Sequence, residues 1–304
     1  MKILHYFCAV KKLSLLFCIL HTVLNSQILD NKRGLAFTDE PFFNDIFIKK
    51  NKIKSLKGEY TFKKVGDIMR KTEFKSIYQF DSLGRVVSTF ETRTENGIKD
   101  TVNNMYIYSN TNQLLIHRKK DQGGYSSIHY ENDSLGRVIS EETHRDIVTK
   151  EGKLERSIIL NKEFMKYDIS PSLQKKKTIY NSYELPYLDE ISYFNADGYL
   201  IERVENLKMT SGKIKYLYQY NEKGYLSAIR SAANSNGVFA EEWLFKYDTF
   251  GNLIEKHVYK KGVFTTDIQI IYNLDTNLLS SVLTREVQTN FIMILRFQGY
   301  EFYE

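Results

Sequence analysis

Cysteine is almost absent from this chain: 304 residues hold two, Cys8 and Cys18, and both lie in the first 26. Proline is nearly as scarce, with three residues, which leaves no room for a proline-rich linker. Beyond one apolar run at residues 13–24 no stretch is long and apolar enough for a membrane helix. The patterns Gly-x-Ser-x-Gly, His-Glu-x-x-His and the phosphate-binding glycine loop are missing too, so no motif for acyl transfer, zinc hydrolysis or nucleotide chemistry is present. On this basis no catalytic residue, cofactor or metal site is assigned.

The first 26 residues read as a signal peptide. Lys2, Lys11 and Lys12 form a basic start, the apolar run follows, and Ser26 precedes a cut at Gln27. A run of 12 residues spans only ~18 Å at ~1.5 Å per residue, against the ~30 Å of a bilayer core. Cleavage removes both cysteines, so the mature chain forms no disulfide and no thiolate site. It also removes three lysines and no acids, taking the formal net charge from +6 to +3. That surplus is too small to point to nucleic acid.

What the chain has in quantity is aromatic: 22 tyrosines and 19 phenylalanines, which favours strands. They are organised by a recurring phrase, clearest as FKYDTFGNL at residues 245–253. Alternating aromatics arrive on one face, an Asp can bond the backbone two residues on, and a Gly can take positive φ before an apolar strand departs. Copies start at residues 60, 78, 106, 130, 192, 218, 245 and 270, with turn glycines at Gly66, Gly84, Gly136, Gly198, Gly224 and Gly251. Asn112 replaces Gly in one copy, and Thr276-Asn277 in the last predicts a different turn. Most well-formed copies are 24 to 28 residues apart, a repeat period.

A second set of turns lies between them, at Asn96-Gly97, Gly123-Gly124, Glu151-Gly152, Ser211-Gly212, Asn236-Gly237 and Lys261-Gly262. Each repeat is therefore two strands and two turns. The predicted fold is all-β: an antiparallel hairpin meander of about 14–16 strands in a curled or spiral open sheet. Paired apolar residues after the turns, such as Val86-Val87 and Leu253-Ile254, cover both faces there and require the sheet to curl. The divisions are a 1–26 signal peptide, a 27–57 lead-in and first strand that is poorly ordered over 27–45, and a 58–304 repeat domain. Lys49, Lys50, Lys52, Lys54 and Lys57 read as an edge strand blunted by charge. Residues 153–191 read as an irregular insertion, with a short helix at 162–167.

Candidate chemistry is thin. Asp81, Asp133 and Asp248 recur once per turn, whereas a calcium loop needs several carboxylates together, so turn capping is the reading. His117, His129, His144 and His257 show no metal spacing. Glu141-Glu142 and Glu241-Glu242 point to opposite faces of a strand and cannot act as acid/base pairs. The aromatic face holds the functional interest, with Tyr216, Tyr218 and Trp243 as the candidate binding face. Gly84, Gly136, Gly198, Gly224 and Gly251 are the structural turns.

The phrase resembles the YD repeat of Rhs proteins: Tyr-Asp, two residues, Gly, one residue, Leu. Tyr247-Asp248 with Gly251 is the best copy, and the resemblance covers residues 58–280 or so. It implies β-hairpin spirals of the kind that enclose a cargo in Rhs and teneurin-like proteins. Those end in an Asp-Pro-rich self-cleaving core and a toxin domain, and this chain has no such motif. Short secreted repeat proteins of Bacteroidetes type look nearer. The expectation is an exported, non-catalytic binding or structural module of the periplasm, cell surface or extracellular space. Its expected partner is a glycan or an envelope protein. The alternatives are an Rhs-linked accessory or immunity protein, an outer-membrane β-barrel or a glycan-active enzyme.

Overall fold

A computed structural model describes residues 27–95, 97–168, 173–233 and 239–304. The signal-peptide reading therefore falls outside the described residues. A short helix, α1 (Asp45–Lys50), opens the regular structure, and the side chain of Asn44 caps it by accepting from the N–H groups of Ile46 and Phe47. β1 (Ile53–Lys63), β2 (Arg70–Phe80), β3 (Val86–Glu95) and β4 (Ile98–Tyr108) follow. β5 (Leu114–Asp121), β6 (Gly124–Asn132), β7 (Val138–Val148), β8 (Leu154–Tyr167) and β9 (Gln174–Tyr180) continue the meander. β10 (Pro186–Phe194), β11 (Leu200–Leu207), β12 (Lys213–Tyr220), β13 (Leu226–Ala233) and β14 (Glu241–Tyr247) come next. The last are β15 (Leu253–Lys260), β16 (Val263–Tyr272), β17 (Leu279–Glu286) and β18 (Phe291–Phe302).

Each strand pairs antiparallel with the next, and β1 pairs with both β2 and β18. The 18-stranded sheet is thus a closed up-and-down barrel. This corrects the expected 14–16 strands and the open, curled sheet. Closure also corrects the edge-strand expectation for the lysine-rich stretch, since β1 is paired on both sides. The supposed insertion is strand for most of its length: β8, β9 and part of β10 occupy it, and residues 162–167 are strand rather than helix. Its turn carries no glycine signal, because Glu184, with φ 57°, stands where other copies have glycine.

The turns use the repeat residues as follows. Gly84 N–H donates to the Asp81 carbonyl (2.9 Å), and Asp81 N–H donates to the Arg85 carbonyl (3.0 Å). The Asp81 carboxylate accepts from the N–H of Leu83 (2.9 Å) and of Arg85 (3.0 Å). This is a three-residue loop closed by a bulge, with the positive-φ residue third. Gly84, Gly136, Gly198, Gly224 and Gly251 all have φ between 77° and 90°. The last copy is one residue longer, with Asn277 N–H donating to the Asn273 carbonyl (2.9 Å).

Six tyrosines near strand ends share one kind of partner. Tyr108, Tyr220, Tyr247 and Tyr272 donate their hydroxyls to the carbonyls of Val86, Leu200, Leu226 and Leu253 at 2.7–3.0 Å. Tyr167 and Tyr300 do the same to Val138 and Leu279 (both 2.8 Å). The acceptor is in each case the first residue of a strand leaving a turn, where the bulge interrupts the ladder. A cross-hairpin hydroxyl there satisfies a carbonyl that would otherwise be buried without a partner.

A barrel of 18 strands is too wide for its own side chains to fill. The filling comes from residues 27–51. Ile28, Leu29, Ala36, Phe42, Phe43, Phe47 and Ile48 are all at most 6% exposed. Phe43 lies 4.8 Å from the Tyr78 ring and 5.0 Å from that of Phe80. Tyr106 donates to the Asp39 carbonyl (3.1 Å), Lys256 to the Ala36 carbonyl (2.8 Å), and Asn31 to the Tyr247 hydroxyl (3.0 Å). β2 and β4 lie across the ring from β14 and β15, so a segment that touches all four sits inside. The lead-in is a plug, and the expectation of poor order is corrected. Its order comes from tertiary burial, which leaves no periodic signature in a segment of irregular backbone.

Candidate functional site

Registry places Tyr216 and Tyr218 of β12 opposite Ser231 and Ile229 of β13, and Ile229 opposite Trp243 of β14. All five face the barrel interior. Tyr216, Tyr218 and Trp243, named from side-chain parity, therefore meet in one cavity of about 360 Å³. Its walls also include Leu200, Arg203, Tyr220 and Glu241, and the plug covers it with Lys32, Arg33 and Leu35. The plug can come this close because Gly34 has φ 74° and no side chain: a Cβ there would lie 2.4 Å from Cδ1 of Ile229. A second cavity of about 430 Å³ shares Lys32, Leu200 and Tyr220 and extends toward Tyr199 and Tyr225 at the turn end.

The charges in the chamber are arranged around the rings. The Arg203 guanidinium lies 4.4 Å from the Tyr216 ring centre and 3.2 Å from Glu205. Its Nε is buried and has no hydrogen-bond partner among the described residues. Lys256 lies 5.1 Å from the Trp243 ring centre, is 4% exposed, and has its pKa pushed down to about 8 by burial. Burial likewise raises the tyrosine pKa of Tyr216 and Tyr218, so both stay neutral hydroxyls. The Ser231 hydroxyl is occupied by backbone, accepting from Glu241 N–H (3.2 Å). The chamber thus offers flat apolar faces, phenolic hydroxyls, a guanidinium and a carboxylate.

Arg203, Lys256 and the plug residues were not picked out from the sequence. Arg203 could have been found: the Ser211-Gly212 turn sets β11 against β12 and pairs Arg203 with Tyr216. Lys256 and the plug could not, since their places depend on closure. The five turn glycines are spread along one rim and form no site together. His129 and His144, scattered in sequence, stack at 4.2 Å on the outer face. No cluster of three or more potential metal ligands occurs among the described residues.

No family model matches the chain. No curated protein matches it either. Among solved structures it is similar to a porin-like protein from Bacteroides uniformis, with 8% identity and a TM-score of 0.37 over 81% of this chain and 98% of that one. A porin-like protein from Bacteroides vulgatus gives 9% identity and 0.28 over 79% and 96%. A TcdB2–TccC3 structure gives 12% identity and 0.26 over 76% of this chain, which corresponds to 15% of that one. At these scores the likenesses support no statement about activity or partners.

Proposed function

We propose that this chain is an exported, non-catalytic β-barrel that binds a short saccharide in its aromatic chamber. The observation that supports this most is the convergence of Tyr216, Tyr218 and Trp243 on one cavity beside the unsatisfied Nε of Arg203. Aromatic faces stack on the C–H faces of a sugar ring, while the guanidinium and Glu241 can bond its hydroxyls. The kinship with Rhs repeats remains part of the proposal and rests on the turn phrase.

A second reading is an outer-membrane barrel, favoured by closure with an even number of strands. The outer face weighs against it. Residues that alternate with the inward aromatics form ion pairs around the ring: Arg118 with Asp146 (2.8 Å), Lys176 with Asp189 (3.3 Å), Lys215 with Glu202 (2.6 Å), Lys246 with Glu255 (2.6 Å) and Arg285 with Asp267 (3.0 Å). A lipid-facing Lys or Arg costs ~2–4 kcal/mol at the bilayer midplane.

Two measurements test the proposal. The protein should fold and stay monodisperse in detergent-free buffer; a requirement for detergent would transfer the case to the membrane reading. On a glycan array it should capture a defined saccharide, and Tyr216→Ala should weaken that binding at least ~10-fold, or ~1.4 kcal/mol, with melting nearly unchanged. Loss of binding only in proportion to loss of stability would make the rings structural cement and overturn the site.

A further inference from the structure

At the rim that holds the β1–β2 turn, opposite the five turn glycines, lies a larger cavity of about 870 Å³. We propose that it binds a single-chain carboxylate amphiphile of the long-chain fatty-acid class. Four side chains give its wall an apolar patch: Phe62 pairs with Met293 across the closing seam, and its ring lies 5.4 Å from that of Phe74 and 5.5 Å from that of Phe291. The volume falls within the ~300–1,000 Å³ usual for small-molecule sites.

The polar groups sort into two levels. At the inner end Tyr60 donates to Glu91 (2.7 Å), and Arg93 pairs with both Glu91 and Asp39 of the plug. Lys119, 4.0 Å from Asp39, offsets the second carboxylate, so the charges of this network balance and an apolar chain end can rest against it. At the mouth Asp67 and Arg70 pair with each other through two contacts of 2.9 Å. Lys64 and Lys71 also line the mouth, are exposed, and form no ion pair among the described residues. An apolar interior with three cations against the single carboxylate of Asp67 at its opening fits a carboxylate head at the rim and a hydrocarbon tail inside.

The test is titration calorimetry of the purified full chain with dodecanoate, dodecylamine and shorter carboxylates, each below its micelle concentration. Dodecanoate should bind saturably at one site. Affinity should fall about threefold to fourfold for each CH₂ removed, as expected for ~0.8 kcal/mol per buried CH₂. Dodecylamine should bind at least tenfold more weakly. The double variant Lys64→Glu/Lys71→Glu, both changes on exposed side chains, should weaken dodecanoate at least tenfold without altering the melting temperature. Lys246→Glu, on the outer face of β14, should leave binding as it was. Met293→Trp, which fills the cavity, should abolish binding in a protein with unchanged far-UV spectrum. Absence of saturable binding, equal affinity for acid and amine, or equal losses from the mouth and outer-face charge changes would each overturn the proposal. If Met293→Trp does not fold, the mouth variant decides alone.

Discussion

Tyr247→Phe is the substitution that isolates the tie between plug and barrel. The Tyr247 hydroxyl donates to the Leu226 carbonyl (2.8 Å) and accepts from Asn31 of the plug (3.0 Å). Tyr272 makes the equivalent bond to Leu253 (2.7 Å) and has no plug partner among the described residues, so Tyr272→Phe is the reference. Removing one hydrogen bond costs ~0.5–1.5 kcal/mol net, and more where a buried partner is stranded. Tyr272→Phe should therefore cost about 1–2 kcal/mol and Tyr247→Phe about 2–4 kcal/mol. The assay is equilibrium urea unfolding followed by far-UV circular dichroism at pH 7, within a double-mutant cycle that includes Asn31→Ala. Asn31 also accepts from Ala36 N–H (3.2 Å), so its single variant carries an extra loss, which the cycle subtracts. A coupling of about 1 kcal/mol between Tyr247 and Asn31 is expected. Equal costs for the two tyrosine variants, with coupling near zero, would refute the tether.

Lys256 predicts a pH dependence. Its folded pKa of about 8 lies below the unfolded value of ~10.4, so the unfolded chain binds more protons between the two. Stability should then rise with pH from about 8 toward 9.5, by at most ~1.4 kcal/mol per unit, and Lys256→Met should abolish the rise in urea midpoints. Above about 10 the unfolded tyrosines ionise while the buried ones do not, and the slope should reverse. For the turns, Gly251→Ala combines a φ of 90° with a Cβ 2.3 Å from the Tyr225 hydroxyl and 2.4 Å from Gln27. Gly66→Ala has a φ of 72° with nothing within 4 Å. The first should cost clearly more than the ~1–2 kcal/mol of left-handed strain that both share, and matching melting temperatures would disprove that.

Local chemistry was legible because it repeats. The hairpin pattern, the two turn types and the shared face of Tyr216, Tyr218 and Trp243 all follow from alternation and from residues that tolerate positive φ. Closure was not legible, because pairing β1 with β18 joins residues such as Tyr60 and Leu295 that no local pattern links. Strand number was undercounted where Glu184 took the glycine conformation without being glycine. The plug was missed for a different reason. Phe42, Phe43 and Phe47 look like scattered apolar residues until a barrel surrounds them. The candidate site was consequently half readable: its rings came from parity, while Lys256 and the Gly34 approach needed the third dimension.

The order of elements along the chain has a consequence for assembly. Residues 27–51 precede every strand, so the filling emerges before its container. No finished cylinder has to be threaded; the hairpins can be laid down one after another against a segment already present. The seam is the slow part, since β1 must wait for β18 while all the intervening hairpins form locally. Joining ends so far apart in sequence is the least probable encounter in the process. Until it happens, β1 offers an unpaired margin, and its best protection in that interval is the plug already folded beside it.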